Sequence, residues 1–257
     1  MFEITNLYKT FDNLRVLNGL TLNIRDGETK VIIGRSGVGK SVLLKHIVGV
    51  IKPDSGSIKL DGVELTELSN KDYDQVRKNI GLVFQGGALF DSLNVAENVG
   101  FFLDEFTKLS GSQKQERVAH CLSLVKLKNA EEMMPAQLSG GMRKRVSLAR
   151  ALCMEPKIIL YDEPTTGLDP VTADAINNLI IELRDRLKVT SVVVTHDMTA
   201  AYKVADSIAM IYHGQVIADG TPEDIRHSRH PVVKQFINGE ATGPIADDES
   251  MKFGHVK

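Results

Sequence analysis

Apolar and polar positions alternate at the start of the chain. Phe2 and Ile4, then Leu20, Leu22 and Ile24, recur at period two, which predicts half-buried strands. Ser57-Ile58-Lys59-Leu60, set between Asp54-Ser55-Gly56 and Asp61-Gly62, predicts another short strand bounded by turns. These segments are expected to be antiparallel and to lie around a core that begins near residue 30. There the pattern changes. Lys30-Val31-Ile32-Ile33, Ile80-Gly81-Leu82-Val83-Phe84, Ile158-Ile159-Leu160-Tyr161 and Ser191-Val192-Val193-Val194-Thr195 are short apolar runs, as parallel strands buried on both faces should be.

Between the second and third of these runs, from about Leu89 to Cys153, the strand signal fades and helices take over. Val118, Cys121, Leu122 and Val125 fall at i, i+3, i+4 and i+7, and Ser112 with Gln115 forms a candidate capping box. The stretch reads as a helical insertion of about 60 residues in an α/β domain. Within it, Ser139 is a natural N-cap, and the helix it opens is apolar along Val146, Ala149 and Cys153. Arg143, Lys144 and Arg145 are interspersed, either beside an anion site or on an ordinary solvent face. Asp169-Pro170 opens a helix with a buried stripe of Ile176, Leu179, Ile180, Leu183 and Leu187. Val216-Ile217-Ala218 predicts a last strand, Thr221-Pro222-Glu223-Asp224 a short helix, and Val232, Val233, Phe236 and Ile237 one amphipathic helix. Residues 1–225 then form one domain, and 226–257 an extension. Its end, from Gly243 to Lys257 with Asp247-Asp248-Glu249, is polar and expected to be a mobile or docking arm.

Charge and composition narrow the field. At 257 residues, with 42% hydrophobic and 25% charged positions, the chain suits an ordinary globular protein. A net charge of −2 gives no global field for nucleic acid, and no nucleic-acid partner is expected. Cys121 and Cys153 lack metal-ligand spacing and are expected to be reduced and buried. No apolar run approaches the roughly 18 residues of a membrane span, so work at a membrane would require a partner chain.

The chemistry gathers at strand ends. Gly34-Arg35-Ser36-Gly37-Val38-Gly39-Lys40-Ser41 fits the phosphate-loop pattern G-x-x-x-x-G-K-[ST], between a predicted strand and a helix that begins at Val42. Its glycines and the helix N-terminus suit phosphate; Lys40 would reach the β- and γ-phosphates, and Ser41 would hold Mg²⁺. Gln85 follows a second strand and could orient water or complete the Mg²⁺ shell. Asp162-Glu163 ends a third strand. Asp162 fits an Mg²⁺ role and Glu163 that of a base for the attacking water. His196 ends a fourth. In an open parallel sheet these carboxyl ends share one edge, where ligands bind. The set suits Mg²⁺-dependent attack of water on a γ-phosphate. Phe11 could stack on a base or simply pack at the surface, and Asp169 is at least a cap.

Order and spacing resemble the nucleotide-binding subunit of an ABC transporter over nearly the whole chain. The motifs are the phosphate loop, Gln85, the signature Leu138-Ser139-Gly140-Gly141-Met142, the strand from Ile158 to Glu163, Leu168-Asp169 and His196. The resemblance implies a P-loop NTPase with a RecA-like parallel core, an N-terminal antiparallel β subdomain and an inserted helical subdomain. It implies an Mg²⁺-dependent ATPase with Phe11 stacked on the base and catalytic roles for Glu163, His196 and Gln85. It also implies a head-to-tail homodimer. Ser139, Gly140 and Gly141 of one copy would face the γ-phosphate held by Lys40 of the other, and Asp169 would cross the interface. A cytoplasmic helix of a polytopic permease would dock near Gln85 to Phe90. Met142 departs from the usual Gln, so that residue's contacts do not carry over.

Met142, Lys45-His46, Phe84-Gln85-Gly86-Gly87-Ala88-Leu89-Phe90 and Gln235-Phe236-Ile237-Asn238-Gly239 resemble a narrower group, the ATPases of MCE-type, Mla-like lipid transporters. This implies phospholipid transport from the cytoplasmic face of an inner membrane, with an MCE-domain carrier and a small STAS-domain subunit as partners. Other readings are a transporter motor for another solute, a soluble ABC ATPase, or a small-molecule kinase. The last would not require Ser139-Gly140-Gly141.

Overall fold

The computed structural model describes residues 1–246. Two sheets form it. The first is antiparallel, in the order β2 (Leu14–Ile24), β1 (Phe2–Phe11), β4 (Ser55–Leu60), β5 (Val63–Glu64). The second runs β10 (Gln215–Gly220), β9 (Ser207–Tyr212), β3 (Thr29–Ile33), β8 (Thr190–Thr195), β7 (Ile158–Asp162), β6 (Ile80–Val83). From β9 to β6 every pairing is parallel, and β10 closes the edge antiparallel to β9.

Successive side chains of a strand point to opposite faces, and the central strands show why their sequences read as unbroken apolar runs. Val31 and Ile33 of β3 enter the core under the helices, while Ile32 enters the core facing the antiparallel sheet. Ile159 and Tyr161 of β7 split from Ile158 and Leu160 in the same way, as Val193 of β8 does from Val192 and Val194. Burying each such side chain contributes about 1.5–3 kcal/mol.

Helices α1 (Lys40–Ile47) and α2 (Asn70–Arg77) belong to the first half. The helical insertion comprises α3 (Val95–Phe106), α4 (Gly111–Leu124) and α5 (Gly140–Leu152), with a short 3₁₀ turn at Pro135–Gln137. Cys121 and Cys153 are buried and free in its core. The capping box of α4 lies two residues earlier than expected. Ser110 accepts from the Gln113 N–H, and Gln113 accepts from the Ser110 N–H at 2.8 Å. Both serines have a Gln three residues on, and the helix begins at the first.

Then follow α6 (Pro170–Leu187), α7 (Met198–Val204), α8 (Pro222–Arg226) and α9 (Pro231–Asn238). The expected arm does not leave the body at Gly243. Ile245 is buried, and its N–H donates to Gln235 Oε1 of α9 at 2.8 Å. Residues 247–257, with the acidic run, lie outside the described residues. Among the described residues no helix is long and apolar enough to cross a membrane.

Candidate active site

The loop from Gly34 to Gly39 leaves β3 and turns into α1. A Cβ at Gly34 would lie 2.6 Å from the Ile211 carbonyl oxygen, and φ there is +151°, so the neighbouring strand β9 demands glycine. Lys40 is buried and donates to the carbonyls of Gly34 (2.6 Å) and Arg35 (2.9 Å). Burial lowers the pKa of its ammonium, against the raising effect of Glu163 and Asp162. Ser36 and Gly37 are exposed, whereas Val38 and Val42 pack on the core facing the antiparallel sheet. The two valines therefore offer a ligand their backbone N–H groups, and the start of α1 adds its own.

Strand order brings the other groups to this loop. Ser41 Oγ donates to Asp162 Oδ1 at 2.8 Å. Burial holds the Asp162 carboxyl above its ordinary pKa, partly offset by that hydrogen bond. Glu163, the next residue, has φ +50°. A non-glycine residue there stores roughly 1–2 kcal/mol, so its surroundings must hold it. Its N–H donates to Val194 O at 2.9 Å. Its carboxylate accepts from Thr166 Oγ1 at 3.1 Å, and His196 Nδ1 lies 3.0 Å from it. Thr195 Oγ1 stands 3.4 Å away and Lys40 Nζ 3.8 Å away.

Gln85 is exposed just beyond β6. Behind it, α5 departs from one expectation. Arg143 is exposed, but Lys144 and Arg150 are buried. Lys144 Nζ donates to the carbonyls of Gln85 and Glu163, the latter at 3.2 Å. Arg150 donates to Gly87 O at 2.9 Å and Ala88 O at 2.7 Å. Desolvation lowers the pKa of both cations. Ser147, Leu148 and Ala151 follow Lys144 at i+3, i+4 and i+7, and all are buried with it on one face of α5.

The signature residues stand apart from this cluster. Ser139 caps α5, accepting from the Met142 N–H at 3.2 Å. A Cβ on Gly140 would lie 3.2 Å from Leu168, and one on Gly141 only 2.6 Å from Thr172 Cγ2. Asp169 caps α6 by accepting from the Val171 and Thr172 N–H groups, both at 3.0 Å. The signature thus packs on Leu168 and on the first turn of α6. Phe11 ends β1, exposed, with the Lys9 ammonium 5.5 Å from its ring centroid.

Among the described residues no group of three or more His, Cys, Asp or Glu could hold a metal. The oxygen donors here are a serine hydroxyl, an aspartate and an exposed amide. Few hard donors fit Mg²⁺, which keeps water and takes ligands from substrate phosphates.

A family model described as ABC transporter matches residues 17–166. The chain belongs to the ABC transporter family. The cassette is 41% identical to the probable ribonucleotide transport ATP-binding protein mkl of Mycobacterium leprae, over 96% of this chain and 71% of that one. It is 39% identical to the intermembrane phospholipid transport system ATP-binding protein MlaF of Haemophilus influenzae, over 95% of this chain and 93% of that one. A solved structure, the dimeric post-hydrolysis state of the ATP-binding cassette MJ0796 bound to ADP and Pi, superposes with a TM-score of 0.80 at 34% identity, covering 86% of this chain and 99% of that one. The cassette is an ATPase that works with ATP and Mg²⁺.

Proposed function

We propose that this cassette is the motor of a transporter that moves phospholipid between membranes together with an MCE-domain carrier. The observation that carries the reading is the match to MlaF along nearly the whole length of both chains. In the chemical step, Glu163 takes a proton from the attacking water while His196 holds its carboxylate. Lys40 and the loop N–H groups balance charge on the phosphates. Mg²⁺, held by Ser41, Asp162 and Gln85, would neutralise phosphate charge when bound. Phe11 stacks on the base. Ser139, Gly140 and Gly141 act in trans across a homodimer, and Asp169 lies at that interface.

The permease docks at a groove of about 350 Å³ whose lining includes Val50, Phe84, Phe102 and Phe106. Its rim continues as an exposed aromatic row, with ring centroids 4.5 Å apart for Phe90 and Phe101, and 5.5 Å for Phe101 and Phe102. An apolar patch of this kind marks a protein interface. Bound so, the cassette sits on the cytoplasmic face of the inner membrane, and the extension that begins at residue 226 docks on the neighbouring cassette or on a small STAS-domain subunit. A second reading, transport of another solute, has support in the mkl relative, named for ribonucleotides.

Pull-down of the tagged chain from detergent-solubilised membranes, with mass spectrometry, tests the proposal. A permease with an MCE-domain protein is the expected result. A permease with a different carrier would keep the motor and remove the lipid.

A further inference from the structure

We propose that Lys144 is a positioning residue that ties the backbone of Glu163 to the loop beside the aromatic groove. The inference rests on Glu163 being the base. Glu163 has a left-handed backbone just beyond β7; its N–H is held by Val194 of β8, and its carbonyl accepts from Lys144 of α5 at 3.2 Å and from the Thr166 N–H at 3.3 Å. The same Nζ also donates to the carbonyl of Gln85. Gln85 directly follows Phe84, which lines the groove.

An ammonium has three donors and no acceptor, so a single buried nitrogen can hold two carbonyls from separate loops. A shift of the loop at Gln85 then requires Nζ to follow or to release one carbonyl. Either change moves the backbone that carries the Glu163 carboxylate. Arg150 grips Gly87 and Ala88, so the loop is anchored to the same helix a few residues on. Apart from Gln85, whose side chain is proposed for the Mg²⁺ shell, nothing in this link touches the phosphates, so its main effect falls on turnover rather than on ATP binding.

The test uses the full chain with Mg²⁺ and compares Lys144→Met, Lys144→Arg and Glu163→Gln for ATP affinity, KM, kcat and melting temperature. Lys144→Met is expected to bind ATP as wild type does and to lose about 10- to 100-fold in kcat, the scale of a small misplacement of a reacting group. Lys144→Arg, which also offers several donors, is expected to recover most of that loss. If Lys144→Met does not fold, Lys144→Leu, which also has no donor, replaces it, with the same kcat loss expected at unchanged affinity. Unchanged kcat in the neutral variant, while Glu163→Gln is inactive, would overturn the role of Lys144 and leave the base assignment standing. A loss confined to ATP affinity would overturn it too. Wild-type turnover in Glu163→Gln would remove both.

Discussion

His196 Nδ1 lies 3.0 Å from the carboxylate of Glu163. The contact follows from register. In the parallel pairing of β7 with β8, Asp162 stands opposite Val194, so Glu163 and His196 emerge side by side just beyond the last paired residues. Each reaches the other without a long loop, and the backbone bond from Glu163 N–H to Val194 O fixes the approach. The imidazole is half-exposed and the carboxylate is not, so His196 screens one side of the carboxylate.

Replacing Glu163 by Gln keeps the shape and removes the carboxylate proposed as the base. ATP affinity is expected to remain at the wild-type level, while kcat falls by about 10²–10⁴-fold, the contribution of a positioned general base. With hydrolysis blocked, a dimer closed on ATP is expected to persist in size-exclusion chromatography. Turnover at the wild-type rate would exclude Glu163 as the base.

Lys40→Ala acts on binding itself. A charge-assisted hydrogen bond contributes about 1.5–3 kcal/mol, so ATP affinity measured by calorimetry is expected to fall about 10- to 100-fold. The Gly34 and Arg35 carbonyls, which Lys40 holds, would also lose their donor. Unchanged affinity would count against the phosphate loop.

The parallel core was legible because strands buried on both faces leave a continuous apolar trace, and the residues proposed for the chemistry follow those strands. Gly34, Gln85, Asp162-Glu163 and His196 could be placed on one edge from strand ends alone, and Ser41 followed from the phosphate-loop pattern. Helix α2 was not legible, because only Tyr73 of its eight residues is buried and the rest reads as polar loop. Lys144 was missed for a different reason. A lysine between Arg143 and Arg145 looks solvated, and its two acceptors are backbone carbonyls 59 and 19 residues away. Nor does the local sequence reveal that Gly34 is required by Ile211. Such contacts depend on which strands become neighbours.

Gly141 is set by packing, whatever it does for a ligand. An added methyl at 2.6 Å from Thr172 Cγ2 must displace a β-branched side chain, which is stiff. Gly141→Ala is expected to cost about 1–3 kcal/mol through overpacking, read as a lowered unfolding midpoint. Thr172→Ser removes the methyl and is expected to restore most of the stability when combined with it. Additive losses in the double variant would show that the clash is not the cause.

His46 gives the fold an acid sensitivity that can be isolated. It is buried at the end of α1, with Nδ1 2.7 Å from the Val42 carbonyl. Nε2 is buried and has no hydrogen-bond partner. Protonation would place a second N–H where nothing accepts it. Burial accordingly lowers its pKa; Lys9 of β1 adds to the lowering, while the Val42 carbonyl and Asp54 oppose it. The folded pKa thus lies below the unfolded value of 6.5. Above that value the ring is neutral in both states and contributes no pH dependence. As pH falls below it, the unfolded chain takes up a proton that the native chain refuses, so stability falls until the folded pKa is passed, with a slope of at most about 1.4 kcal/mol per pH unit. Urea midpoints measured from pH 7.5 down to pH 5 are expected to drop for the wild type and to drop less for His46→Leu. Parallel curves would show that His46 is charged in the native state or that other groups carry the acid sensitivity.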